Sequence, residues 1–162
     1  VPGDVEGYRD LFLHDRDVDE DGVFDEPGAI ATERVGLGTG DAAPIPLAGD
    51  VNVSIGVFDQ PISSDGRFVV FQTKAPNMVP GDTNDDLDVF LRDRVAHTTT
   101  RMSVDSAGAQ IDDFNTSGAI SPDGALVAFT TTKPLVAADV NSTRDVYLVD
   151  RERRSLELVS RR

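Results

Sequence analysis

Two stretches of this chain are near copies of each other. Residues 62–71 read ISSDGRFVVF and residues 120–129 read ISPDGALVAF, an offset of 58 with six identities in ten. Residues 82–94 (DTNDDLDVFLRDR) and 139–151 (DVNSTRDVYLVDR) repeat at an offset of 57 with seven identities in thirteen. A third register opens the sequence: residues 1–16, VPGDVEGYRDLFLHDR, align without gaps on residues 79–94, VPGDTNDDLDVFLRDR, with nine identities in sixteen. A period of this length means one supersecondary unit used several times, and it excludes most folds built around a single core.

Each unit divides into short strands. Phe68-Val69-Val70-Phe71 and Leu126-Val127-Ala128-Phe129 are continuous apolar runs, the pattern of strands covered on both faces. Both follow an Asp-Gly pair (Asp65-Gly66, Asp123-Gly124), a hairpin signal because such turns need positive φ. Asp88-Val89-Phe90-Leu91 and Asp145-Val146-Tyr147-Leu148 are rich in β-branched and aromatic residues. The spacing predicts strands at 57–62, 67–73, 87–93 and 99–104, then at 116–121, 125–131, 144–150 and 155–160. Val69, Phe71, Val127 and Phe129 are the expected core. No window carries a helical period, and four short strands per unit describe one propeller blade.

The same residues carry a family resemblance. Ser63-x-Asp65-Gly66 with Phe71, and Ser121-Pro122-Asp123-Gly124 with Phe129, followed by Asp88-Val89-Phe90 and Asp145-Val146-Tyr147, resemble the repeat of TolB-like β-propellers, the WD40-like PD40 motif. The resemblance implies an all-β fold of four-stranded antiparallel blades, about two and a half blades of a larger TolB-like propeller. It assigns a half blade with an acidic hairpin insertion to 1–36, a blade to 57–104 and a blade to 116–160. Closure with six blades would take roughly 340 residues at this period, so the chain is expected to work beside the remaining blades of a parent protein. It further implies a non-catalytic scaffold in the periplasm or at the cell surface, with a protein or polysaccharide as partner. The alternative is the propeller portion of a larger peptidase or glycan-cleaving enzyme whose catalytic domain lies elsewhere.

Charge narrows the partners. The formal net charge is −14. Ten carboxylates in residues 1–26, against Arg9 and Arg16, supply −8 of it. Such a surface repels nucleic acid and anionic membranes and attracts cations. No apolar run approaches the roughly 18 residues of a membrane span, and with no cysteine there is neither a disulfide framework nor thiol chemistry.

The most specific local motif is Asp17-Val-Asp19-Glu-Asp21-Gly22-Val23-Phe24-Asp25-Glu26. Oxygen ligands at alternate positions, with a glycine for the sharp turn, resemble a calcium loop of EF-hand type. In that pattern Asp17, Asp19 and Asp21 are side-chain ligands, Val23 offers its carbonyl, and Asp25 acts directly or through water. The twelfth position is Gly28 instead of the bidentate glutamate, and the nearest substitute is Glu26. The competing reading is a solvated acidic hairpin tip.

A second motif, Asp82-x-Asn84-x-x-x-Asp88, recurs at Asp139, Asn141 and Asp145 and in part at Asp4, Glu6 and Asp10. Asp and Asn ahead of a strand form Asx turns, and this reading is preferred over further metal sites. Asp15, Asp93 and Asp150 recur at equivalent strand ends and read as structural. His14 stands where the sister units have Arg92 and Val149, which argues against a catalytic or metal role. His97 falls in a predicted turn, and the chain has neither a Gly-x-Ser-x-Gly elbow nor a phosphate loop.

Overall fold

The computed structural model describes residues 9–45, 60–113 and 116–160. All regular structure among them is β: β1 (Phe12–Asp15), β2 (Ala31–Arg34), β3 (Phe68–Thr73), β4 (Asp88–Asp93), β5 (Thr98–Arg101), β6 (Thr116–Ile120), β7 (Leu126–Thr131), β8 (Asp145–Asp150) and β9 (Ser155–Leu158). They form three antiparallel sheets in sequence order, β1-β2, β3-β4-β5 and β6-β7-β8-β9, with no closed barrel. The last is a complete four-stranded blade. In the middle sheet the predicted first strand at 57–62 falls partly outside the described residues. Its described end lies along β3, where Ile62 bridges Val69 and Val70 N donates to Pro61 O at 2.8 Å.

The Ser-x-Asp-Gly motif builds the same turn twice. Ser63 Oγ donates to Asp65 Oδ1 at 2.5 Å and accepts from Phe68 N at 3.0 Å, while Asp65 Oδ1 also accepts from Arg67 N. Ser121, Asp123, Ala125 and Leu126 repeat these bonds. Gly66 and Gly124 hold φ of +67° and +74°, whereas the aspartates before them do not enter the left-handed region. The turn is therefore stapled by side chains, with glycine required at one position. An arginine one residue past the third strand ties each turn down: Arg94 Nη1 donates to Gly66 O at 2.5 Å, and Arg151 Nη1 donates to Gly124 O.

Two cores separate the sheets. Phe68, Val70, Val89, Leu91 and Met102 of the middle sheet pack with Ile120, Val127, Phe129, Tyr147 and Leu158 of the last. On the opposite face Phe71 and Phe90 stack at 5.7 Å and pack with Ala75, Met78 and Leu11. The four expected core residues Val69, Phe71, Val127 and Phe129 are all buried. β3 is covered on both faces, as its unbroken apolar run predicts. β7 departs from that expectation: Val127, Phe129 and Thr131 are buried, but Leu126, Ala128 and Thr130 are half-exposed. Its inward face meets the middle sheet, and no other described sheet lies on the outward one.

Residues 38–41 form a strap along the middle sheet. Thr39 Oγ1 donates to Thr99 O and Gly40 N donates to His97 O, at 3.1 and 3.0 Å. The buried Arg92 anchors it, donating to Gly38 O at 2.9 Å and pairing with Asp41.

Candidate metal centre

The hairpin β1–β2 keeps register from Phe12↔Arg34 to Asp15↔Ala31 and opens into the acidic loop at residues 16–30. Asp15 closes the strand end, its Oδ1 accepting from Asp17 N at 3.1 Å. Asp93 and Asp150 do the same, accepting from Ala96 N at 3.0 Å and Arg153 N at 2.8 Å. The structural reading of this recurring aspartate accounts for all three.

Inside the loop Asp17 is the organising residue. Its Oδ1 accepts from Asp21 N at 3.1 Å and its Oδ2 from Gly22 N at 3.0 Å, while Asp21 Oδ1 accepts from Val23 N at 2.8 Å. Gly22 (φ +86°) makes the sharp turn these bonds require, and Glu20 (φ +57°) also takes the left-handed form. The result brings one carboxylate oxygen from each of Asp17, Asp19 and Asp21 within 4.8 Å of the others. Two oxygens bound to one calcium ion at 2.3–2.6 Å stand at most about 5 Å apart, so the triad has the span of a calcium ligand set. Glu26 is half-buried and lines a shallow cleft together with Asp19, Val18 and Gly28.

Asp25 has a different role from its neighbours. Arg16 grips it in two-pronged fashion, with Nε 2.9 Å from Oδ1 and Nη2 against Oδ2, and lies over the Phe24 ring. The hydrogen bond from Arg16 holds the Asp25 carboxyl below the ordinary aspartate value. Asp17, Asp19 and Asp21 are thus drawn together, Glu26 shares its cleft with Asp19, and Asp25 is paired with the Arg16 guanidinium.

The recurring Asp-x-Asn motif makes the predicted Asx turns. Asn84 Oδ1 accepts from Asp86 N at 3.2 Å, Asn141 Oδ1 from Thr143 N at 2.7 Å, and Asp139 Oδ1 from Asn141 N at 3.3 Å. Its aspartates do more than the motif suggests, because Asp82 and Asp88 are buried against Arg101 at 3.0 and 3.3 Å. Strand register creates that partnership, and no linear spacing announces it. His14 bonds Thr32 across β1–β2 at 2.6 Å, and His97, in its turn, lies 3.0 Å from Asp41. The bond to His97, with the charge of Arg92, holds the Asp41 carboxyl below its ordinary value.

Compared with known proteins, the chain matches no protein-family model and no curated protein.

Proposed function

We propose that this chain is a segment of a non-catalytic, exported TolB-like propeller that serves as a protein- or polysaccharide-binding scaffold, steadied by a calcium ion in residues 17–26. The observation that carries the calcium reading is the Asp17–Asp19–Asp21 triad, drawn together by the hydrogen bonds that Asp17 accepts from its own loop. Three carboxylates this close repel one another, and a hard divalent cation converts that repulsion into attraction. Oxygen is the only donor type the triad and Glu26 present, and it is the type calcium prefers. Without a bidentate glutamate at the twelfth position, affinity is expected on the order of 10⁻⁴ to 10⁻³ M, the range of extracellular modules.

The role of the ion is structural. The loop hangs from the blade end that carries the Asp-Gly turns, which leaves the opposite loops, around 74–87 and 132–144, for a partner. Isothermal titration calorimetry tests the reading. Calcium heat is expected in the parent chain and reduced in an Asp19→Ala/Asp21→Ala variant. Heat that is absent, or unchanged in the variant, sinks it.

A further inference from the structure

One position on the fourth strands changes its chemistry from sheet to sheet. Cross-strand register sets Arg34 opposite Phe12, Arg101 opposite Phe90 and Leu158 opposite Tyr147. Two residues before each aromatic stands an aspartate: Asp10, Asp88 and Asp145. In the first sheet Arg34 Nη2 lies 2.5 Å from Asp10 Oδ1. In the second, Arg101 bridges Asp82 and Asp88, and Ser103 Oγ donates to Asp88 Oδ1 at 2.5 Å.

The third sheet keeps the acids and the serine but not the arginine. Ser160 Oγ donates to Asp145 Oδ1 at 2.6 Å, as Ser103 does to Asp88. Asp139 occupies the place of Asp82 in the repeat, and Asp139 and Asp145 are only 7% and 5% exposed. Asp139 gains a compensating donor, since the Tyr147 hydroxyl, absent from Phe90, donates to its Oδ2. Asp145 gains none: its Oδ2 is buried and accepts no hydrogen bond. A buried carboxylate oxygen without counter-charge or donor is costly. Two sheets set a guanidinium charge beside the acid, and the third offers Leu158, itself buried in the core.

We propose that Asp145 and Asp139 hold a hard metal cation where the Arg101 guanidinium sits in the second sheet. The ligand atoms at hand suit such an ion, being oxygens: the two carboxylates, the Tyr147 hydroxyl, which also accepts from Leu135 N at 3.1 Å, and the Lys133 carbonyl 3.4 Å from that hydroxyl. A bare ion suits the site better than a third basic side chain, because Leu158 takes the register position that an arginine stem would need. This site is independent of the acidic hairpin, which lies on another sheet.

Terbium(III), a calcium substitute excited through adjacent tyrosine, reads the site directly. The chain has two tyrosines and no tryptophan. With Asp19→Ala/Asp21→Ala present to silence the hairpin, saturable tyrosine-sensitised emission that calcium competes away is expected. Tyr147→Phe should abolish the emission, and Asp145→Asn should weaken terbium binding about tenfold or more. Leu158→Arg, which restores the second sheet's arrangement, should remove the emission while melting no lower than the parent in metal-free buffer. Emission that is absent, or that survives Asp145→Asn undiminished, overturns the proposal even if Leu158→Arg fails to fold. Stabilisation by millimolar methylguanidinium with no terbium response would overturn it in favour of a basic side chain from a partner. The calorimetric signal of the hairpin stands or falls separately from each of these results.

Discussion

Gly118 on β6 is a point of close approach between the last blade and the one before it. An ideal Cβ there would lie 2.8 Å from Val70 Cγ1 and 3.3 Å from both Val89 Cγ1 and Ala128 O. Two carbons meet at roughly 3.5 Å or beyond, so Gly118→Ala places a methyl about 0.7 Å too deep into Val70. Val70 is fully buried and cannot swing to solvent. The expected cost is about 1–3 kcal/mol, the usual range for overpacking. In a chain of this size it should appear as a fall in melting temperature of about 2–4 °C per kcal/mol. Val70→Ala alone should cost about 2 kcal/mol, from two methyl groups at about 0.8 kcal/mol each plus a cavity contribution. The double variant is the informative one, because removing Cγ1 makes room for the new methyl. Its cost should fall short of the sum by about 1–2 kcal/mol in urea unfolding. Additivity within about 0.3 kcal/mol would mean that β6 does not rest on β3, and the stacking of these two sheets would be refuted.

Other outcomes follow from the same contacts. Gly124→Ala should cost clearly more than Gly66→Ala. Both meet the left-handed backbone penalty, but only at Gly124 would the Cβ strike a ring, 2.5 Å from Phe68, whereas at Gly66 it meets only the tip of the Arg94 guanidinium, at 3.3 Å. Equal chemical-denaturation midpoints for the two would contradict the packing of Phe68 against the second Asp-Gly turn. Stability should decline as pH falls below about 4. The Arg67 hydrogen bond to Asp93, and the serine hydroxyls on Asp65 and Asp123, hold these carboxyls below their unfolded values. Their charged forms therefore stabilise the fold above the unfolded pKa, and that contribution disappears as pH drops through the folded one. Asp93→Asn should flatten this part of a urea-midpoint-against-pH curve, and an unchanged slope would exclude Asp93 as a source. At calcium ten-fold above its dissociation constant, the hairpin ion should add about 1.4 kcal/mol to the fold that carries it. A melting temperature indifferent to calcium would argue against structural binding.

The blade plan was legible in the residues because its signals are local. Alternating and continuous apolar runs, the Ser-x-Asp-Gly staple and the period of the repeat place β3, β4, β7 and β8 to within a residue or two of their observed limits. The apolar runs and the staple act within about ten residues of chain, where side-chain spacing and turn chemistry decide the outcome, and the repeat copies them along the sequence. The acidic loop was legible for the same reason: Asp17, Asp19 and Asp21 are close in space because they alternate around one glycine turn. The roles of Asp25, Arg34, Arg101 and Leu158 could not be read that way. Asp25 is claimed by Arg16, nine residues away across a loop, although the spacing of its neighbours makes it look like a ligand. Arg101 reaches Asp88 only because antiparallel register sets it opposite Phe90, and Leu158 leaves Asp145 uncompensated through the same register in the next sheet. The unequal burial of β3 and β7 has a similar origin, since like apolar runs differ in exposure according to what packs on each face. Short-range chemistry wrote the blade into the sequence. Charge compensation and coverage depend on which strands become neighbours, and only the tertiary structure decides that.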